Sequence, residues 1–220
     1  MNVNNLLLFT AIGLAEFIGV YIYMKMHSFS ELSTSSIISQ LRVVWVPIIA
    51  FLFLGERLLS KEYFGIFLIF SGQILLLFKG KFTLDKGIKF SLISSVFVAV
   101  NSILQKIATP VFEIPIIVLA MGLPTVFGFP ILMKDGKSRI KMIGSKMWKK
   151  VTIAVLFNAI TMIFLLLAIK TGEVSKVTAL FQSTAVLQVF SGIVFLKEKS
   201  NALRKVVGIF VVLLGVMLLI

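Results

Sequence analysis

Long apolar stretches alternate with short polar connections along the chain, and eight of them approach the length of a membrane span. A helical span needs about 20 residues to cross roughly 30 Å of hydrocarbon. The eight predicted segments are residues 6–24, 33–54, 63–78, 90–107, 111–133, 151–169, 174–196 and 203–220. Nearly every position in them is apolar, whereas membrane β-strands alternate apolar and polar residues. We therefore predict an all-α membrane protein with eight transmembrane helices.

One sequence pattern occurs twice, near residue 60 and at the end of the chain. FLGERL, which begins at Phe53, is followed by GIFLIFSGQILLL, and FLKEKS, which begins at Phe195, is followed by GIFVVLLGVMLLI. The corresponding residues are Glu56 with Glu198, Gly65 with Gly208, Gly72 with Gly215, Gln40 with Gln182, Ser33 with Ser175, and Glu16 with Asn158. Self-similarity over such a distance predicts a repeated structural unit.

The segments that carry the two copies are the third and the eighth, an odd number of crossings apart. Equivalent helices then cross in opposite directions, which predicts an inverted repeat, an architecture found in many secondary transporters. We expect a partial first repeat of three helices at residues 1–80 and a complete second repeat of five at residues 81–220. The first copy thus lacks two helices. Three explanations are open: the chain starts inside a longer gene, it is a natural short form, or it is a degenerate product.

Composition supports a membrane protein and narrows the chemistry. The chain is 59% hydrophobic with a mean hydropathy of +1.07, more apolar than a soluble domain of this size tolerates. It has no Cys and a single His, His27, which argues against thiolate metal sites, zinc clusters and His-based triads. We predict no metal, no cofactor and no enzymatic activity.

Positive charge is the other compositional feature. The net charge is +13, and the Lys residues lie between apolar segments, which indicates loops facing an anionic membrane surface rather than nucleic acid. Most Lys and Arg residues follow segments one, three, five and seven. The positive-inside rule places those connections in the cytoplasm and both termini outside a cell membrane.

Two charged residues lie inside predicted spans. Glu16 is near the middle of the first segment and Arg42 near the middle of the second. Charge at this depth is costly and rarely faces lipid. The two residues form either a structural ion pair or a site in which Arg42 receives a substrate carboxylate while Glu16 holds it in place. Glu16 is also a candidate protonation site, since desolvation raises a carboxyl pKa.

Uncharged polar residues occur at similar depth in several segments. Ser94, Asn101 and Gln105 share one face of the fourth segment, and Asn158 and Gln182 lie near the middle of later ones. Singly, such residues are typical of hydrogen bonds between helices. Together they predict a wet central cavity. The predicted substrate-binding residues are Glu16, Arg42, Asn101, Asn158, Gln182 and Thr184.

The repeated Glu and Gly residues have their own interpretations. Glu56 and Glu198 are either proton or cation sites or caps of the helix that follows each, and their position at the membrane edge favours capping. Gly65 and Gly72, like Gly208 and Gly215, are seven residues apart and so lie on one helix face, which predicts close helix packing.

These residues also carry a family resemblance. FLGERLLSKEYFGIFLIFSGQILLL and FLKEKSNALRKVVGIFVVLLGVMLLI resemble the ends of two EamA domains of the drug/metabolite transporter superfamily. The resemblance implies ten helices in two inverted halves, cytoplasmic termini and a central cavity for small metabolites, amino acids or drugs. The chain departs from it in the two missing helices and in Lys197, which stands where the first copy has Gly55.

Two hypotheses follow. The first is a transporter that moves a small polar or amphipathic solute by alternating access, with Arg42 favouring an anionic group. The alternative is a non-transporting membrane subunit or inactive family member. A homodimer or a partner subunit is compatible with both hypotheses.

Overall fold

The computed structural model describes residues 3–26, 29, 40–77, 86–132, 138, 141, 147–195 and 202–220. Within these ranges the chain forms the helices α1 (Val3–Met26), α2 (Arg42–Leu54), α3 (Ser60–Leu77), α4 (Lys86–Ala108), α5 (Ile114–Leu132), α6 (Trp148–Thr171), α7 (Val174–Gln182), α8 (Ala185–Phe195) and α9 (Ala202–Leu219). Five of them, α1, α3, α4, α5 and α6, are long and apolar enough to cross a membrane. The described part of the chain is therefore all-helical and typical of a multi-pass membrane protein.

Two predicted segments differ from the observed helices. The second was expected over residues 33–54 with a kink or bend at Pro47, but α2 begins at Arg42, after a turn at Gln40 and Leu41. Residues 30–39 lie outside the described ranges. The seventh was expected to be one helix over residues 174–196, but it is divided into α7 and α8.

The division of the seventh segment has a local cause in Ser183 and Thr184. The Ser183 hydroxyl donates to the Leu180 carbonyl at 2.6 Å, and the Thr184 hydroxyl donates to the Phe181 carbonyl at 2.7 Å. Short polar side chains that bond nearby carbonyls compete with the regular helical ladder. The helix therefore ends at Gln182 and begins again at Ala185.

Helix packing divides the chain into two compact units. The first unit comprises Met1–Ile18 and Leu104–Thr171. Its buried core consists of Ile12, Ala108, Ile117, Ala120, Met121 and Leu166. A Cβ atom added at Gly13 would lie 2.6 Å from the Ala120 carbonyl oxygen, so α1 and α5 touch backbone to backbone.

The second unit comprises Gly19–Ile103 and Gly172–Ile220. Its core consists of Val43, Leu58, Ile66, Ile69, Leu76, Ala179, Val212 and Leu219. A Cβ added at Gly65 would lie 2.8 Å from the Gly215 carbonyl oxygen, and a Cβ added at Gly72 would lie 2.9 Å from the Gly208 carbonyl oxygen. The start of α3 thus meets the end of α9, so the two helices run antiparallel. The packing role predicted for the four glycines is confirmed.

Candidate functional site

A partly buried polar cluster lies in the second unit where α2 begins and α7 ends. We call Gln40, Arg42, Gln73 and Gln182 the Arg42 cluster. The Arg42 guanidinium donates to the Gln182 side-chain oxygen, and the Gln182 amide nitrogen donates to the Gln40 side-chain oxygen. The Gln182 side chain therefore joins the end of α7 to two residues at the start of α2.

The end of α7 explains why Gln182 lies in this position. The last carbonyls of a helix lack partners inside the helix and need other donors. Gln73 supplies one, since its side-chain amide donates to the Gln182 backbone oxygen at 2.9 Å. The Arg42 charge also lies at this end of α7, where the helix dipole favours a cation. Gln73 and Gln182 are only 1% and 5% exposed.

One polar atom on α2 and one on α3 have no hydrogen-bond partner among the described residues. They are the Gln73 side-chain oxygen and the Trp45 indole nitrogen, and both are buried. Trp45 lies one helical turn after Arg42 on α2, so the two share a helix face. An acceptor on α3 and a donor on α2 are thus left without a protein partner in the described part of the chain.

The predicted site residues are only partly brought together. Arg42 and Gln182 are in direct contact. Asn101 is buried on α4, at 3% exposure, within the same unit. Thr184 is exposed, and its hydroxyl donates to the carbonyl of Phe181, three residues earlier in the chain.

Glu16 and Asn158 belong to the first unit. Glu16 is half-buried on α1, and Asn158 is exposed on α6. Their convergence with Arg42 on one cavity, and the pairing of Glu16 with Arg42, stay predictions. The prediction that Arg42 lies at the middle of a helix is wrong, since it is the first residue of α2.

Gln73 is the member of the cluster that the sequence did not single out. It stands alone among apolar residues in α3, directly after the repeated Gly72. A lone amide in an apolar span is itself a signal, because burying it without a partner is costly. Its partner could not be inferred, because Gln182 is distant in sequence.

A second polar assembly holds the other end of α7. The Glu56 carboxylate accepts hydrogen bonds from the Val174 backbone nitrogen at 2.7 Å and from Ser175, whose backbone nitrogen and hydroxyl lie at 3.2 and 2.7 Å. Glu56 thus caps α7, as a carboxylate at a helix N-terminus should. The expectation that it caps the helix that follows it is wrong. Glu62 takes that role, accepting from the Leu59 backbone nitrogen at 2.7 Å.

An ion-pair chain reinforces this assembly. Lys176, in the first turn of α7, lies 2.7 Å from carboxylate oxygens of both Glu62 and Glu173. We call Glu56, Glu62, Glu173, Ser175 and Lys176 the α7 clamp. Glu198, the repeat counterpart of Glu56, lies outside the described residues. The described part of the chain contains no group of acidic or His residues that could hold a metal ion.

Comparison with known proteins agrees with this architecture. The family model for the EamA-like transporter family matches residues 2–78 and 85–220. The fold is also similar to a solved crystal structure of a protein with 13% sequence identity, with a TM-score of 0.74 over 96% of this chain and 74% of the other. A search of curated proteins finds no match. Because the family model covers nearly the whole length, the chain belongs to the EamA-like transporter family.

Proposed function

We propose that the protein transports a small polar or amphipathic solute across the cell membrane by alternating access, with the Arg42 cluster as the centre of its binding site. The observation that carries this proposal is the partly buried Arg42–Gln182 contact at the break between α7 and α8. Broken helices at mid-membrane, with helix ends aimed at the substrate, are a recurring feature of secondary transporters.

The cost of placing an arginine in a membrane span supports the same conclusion. Arg42 is the first residue of α2 and lies inside the predicted second span, and charged residues inside a span are costly and usually face a bundle interior or a wet cavity. Gln182 is a neutral partner and leaves the Arg42 charge uncompensated by a carboxylate in this contact. An anionic group on the solute would supply that charge.

Contacts between the two sequence copies support an inverted repeat. Gln40 and Gln182 are equivalent positions, and they contact each other. Gly65 contacts Gly215, and Gly208 contacts Gly72. When each glycine is replaced by its counterpart in the other copy, the first contact becomes the second. Contacts that map onto themselves when the copies are exchanged are expected at a pseudo-two-fold axis. The turns at Gln40–Leu41 and Ser183–Thr184 lie within one residue of equivalent positions, because Gln40 corresponds to Gln182.

We infer eight spans arranged as three helices plus five. The five long helices would supply one span each, α2 with the residues before it another, α7 with α8 a third, and α9 the last. A broken helix can span the membrane where its irregular backbone is buried in protein or lines a wet cavity. Solute movement by this arrangement requires no chemical conversion, and we propose no enzymatic activity.

Transport by purified protein in liposomes tests the proposal. A mixture of amino acids, organic acids and drug-like compounds would be offered with and without a proton gradient, and uptake measured by mass spectrometry. We expect an anionic solute to enter, and Arg42→Ala to abolish its entry while the protein stays folded. A hydrogen bond to a charged group contributes about 1.5–3 kcal/mol, a roughly 10- to 150-fold loss in affinity.

Arg57→Ala is the matched control, because Arg57 is an exposed arginine between α2 and α3. It should leave uptake unchanged. Equal uptake by Arg42→Ala and the unmodified protein would remove Arg42 from the site. Absence of uptake for every solute would favour the alternative of a non-transporting subunit or inactive member.

A further inference from the structure

The half-helix α7 makes polar contacts at both of its ends and does not continue into α8 as one helix. It is nine residues long and is separated from α8 by the turn at Ser183 and Thr184. Its C-terminal residue Gln182 belongs to the Arg42 cluster, and its first turn belongs to the α7 clamp. A rigid helix of this length, roughly 13 Å, would transmit a displacement at one end to the other.

We propose that α7 is a gate, and that Glu56 and Glu62 are positioning residues that hold it closed and thereby set the place of Gln182 beside Arg42. This inference rests on the proposed transport function. Release of the clamp would let α7 swing at the Ser183–Thr184 turn and open a path to the Arg42 cluster from the end where Glu56 lies.

Glu56 is placed for this role by the way α2 ends. Gly55 has a φ of 68°, the left-handed conformation that favours glycine, and the Glu56 backbone nitrogen donates to the Ala50 carbonyl at 3.3 Å. This cap directs the chain away from α2 and presents Glu56 to α7. No atom lies within 4 Å of a Cβ added at Gly55, so the cap has open space around it.

The Lys176–Glu62 contact of the clamp can separate without leaving either side chain without a partner. When Lys176 leaves Glu62, it retains Glu173, the residue that directly precedes α7. Glu62 in turn retains the Leu59 backbone nitrogen at the start of its own helix. A buried ion pair that loses one partner is costly, whereas each member of this pair has a second partner of its own. Such exchangeable contacts suit a reversible gate.

The gate can be tested with a cysteine reporter, because the natural chain has no Cys. Thr178 lies on α7, is 7% exposed and makes no clamp contact, so Thr178→Cys reports the position of this helix. Its rate of modification by a polar maleimide would be measured in the full chain with Glu56→Gln, Glu62→Gln and both together. We expect about a tenfold increase in the double variant and a smaller one in each single variant, since local opening governs the reactivity of buried groups.

Two controls distinguish gate opening from general loosening. Glu113→Gln removes an exposed carboxylate between α4 and α5 and should leave the Thr178→Cys rate unchanged. A second reporter, Ser94→Cys, replaces a residue 1% exposed on α4 and should stay protected in every variant. An unchanged Thr178→Cys rate in the double variant would overturn the gate, and so would an equal rise at Ser94→Cys.

A conservative substitution at Glu56 distinguishes a positioning role of its charge from a general effect on stability. Glu56→Asp keeps the charge, and we expect it to restore most of the protection that Glu56→Gln removes. Protection lost equally in both variants would count against a charged clamp. Modification by maleimide does not depend on solute movement. A failure of the transport proposal would therefore leave these rates interpretable, and a failure of the gate would leave the Arg42→Ala experiment unaffected.

Discussion

The α3–α9 pair and the half-helix α7 lie in the same compact unit but are held by different kinds of contact. At the crossing of α3 and α9, glycines bring the backbones together, and an added Cβ at Gly215 would lie 2.6 Å from the Gly65 carbonyl oxygen. At α7, carboxylates, amides and a guanidinium hold the two helix ends. The first contact is backbone against backbone, and the second is made by side chains that can change partners.

This difference indicates which part of the unit is fixed and which part moves. Close backbone packing depends on many small dispersion terms that fall steeply with distance, so it has no stable half-open form. Polar contacts can be exchanged for water or for other polar groups at little net cost. We therefore interpret α3 and α9 as the scaffold of the unit and α7 as its moving part.

The largest expected effect is the loss of the scaffold contact. In Gly72→Ala, the new Cβ would lie 2.6 Å from Val212 Cγ2 and 2.9 Å from the Gly208 carbonyl oxygen, which is a backbone atom. Overpacking of this kind costs about 1–3 kcal/mol, and Gly72→Ala with Gly215→Ala should lose folded protein altogether. The measurement is thermal unfolding and size-exclusion elution in detergent.

Gly122→Ala is the control for that experiment. An added Cβ at Gly122 has no atom within 4 Å, and alanine is the better helix former, so stability should be unchanged or slightly higher. If the double variant elutes and melts like this control, α3 and α9 are not the fixed scaffold, and the comparison with α7 loses its basis.

The next effect concerns the C-terminal end of α7. Gln73→Leu keeps the side-chain volume but leaves the Gln182 backbone oxygen without its donor. An unsatisfied buried group costs about 1–3 kcal/mol, and we expect solute uptake to fall by roughly tenfold as Gln182 shifts. Uptake in liposomes and thermal unfolding would be measured on the same preparation.

Gln105→Leu provides the matched substitution, because Gln105 is a buried amide of the first unit whose nitrogen lies 3.6 Å from the Met121 sulfur. It should cost stability without a comparable loss of uptake. A similar fall in uptake for both variants would mean that buried amides act through stability alone, and Gln73 would lose its assigned role.

The fixed contact was predicted from sequence far better than the exchangeable ones. Glycines spaced seven apart on an apolar helix predict a close-packing face, and the two copies of that pattern meet in the structure. Spacing within one helix is sufficient for that inference because the period of a helix is known. The positions of most long apolar helices were predicted for the same reason.

The contacts of α7 depend on which distant elements meet, and local rules do not contain that information. Glu56 was expected to cap the nearest helix, but the helix end it meets is that of α7. The observed contact of Arg42 is with Gln182, which is 140 residues away in sequence. The Ser183–Thr184 pair was the available sign of a broken helix, since both side chains can bond nearby carbonyls.

The smallest expected effect is at a single donor of the clamp. Ser175→Ala removes the hydroxyl that lies 2.7 Å from Glu56, but the backbone nitrogens of Val174 and Ser175 still donate to the carboxylate. The net loss should be about 0.5–1.5 kcal/mol, and uptake should stay within about twofold of the unmodified protein. Thr171→Ala, which removes an exposed hydroxyl bonded to its own helix, is the control for thermal unfolding and uptake. Ser175→Ala could instead impair thermal stability and uptake as strongly as Glu56→Gln does. Glu56 would then act through the Ser175 hydroxyl alone, and the clamp would be a single side-chain bond and not a helix cap.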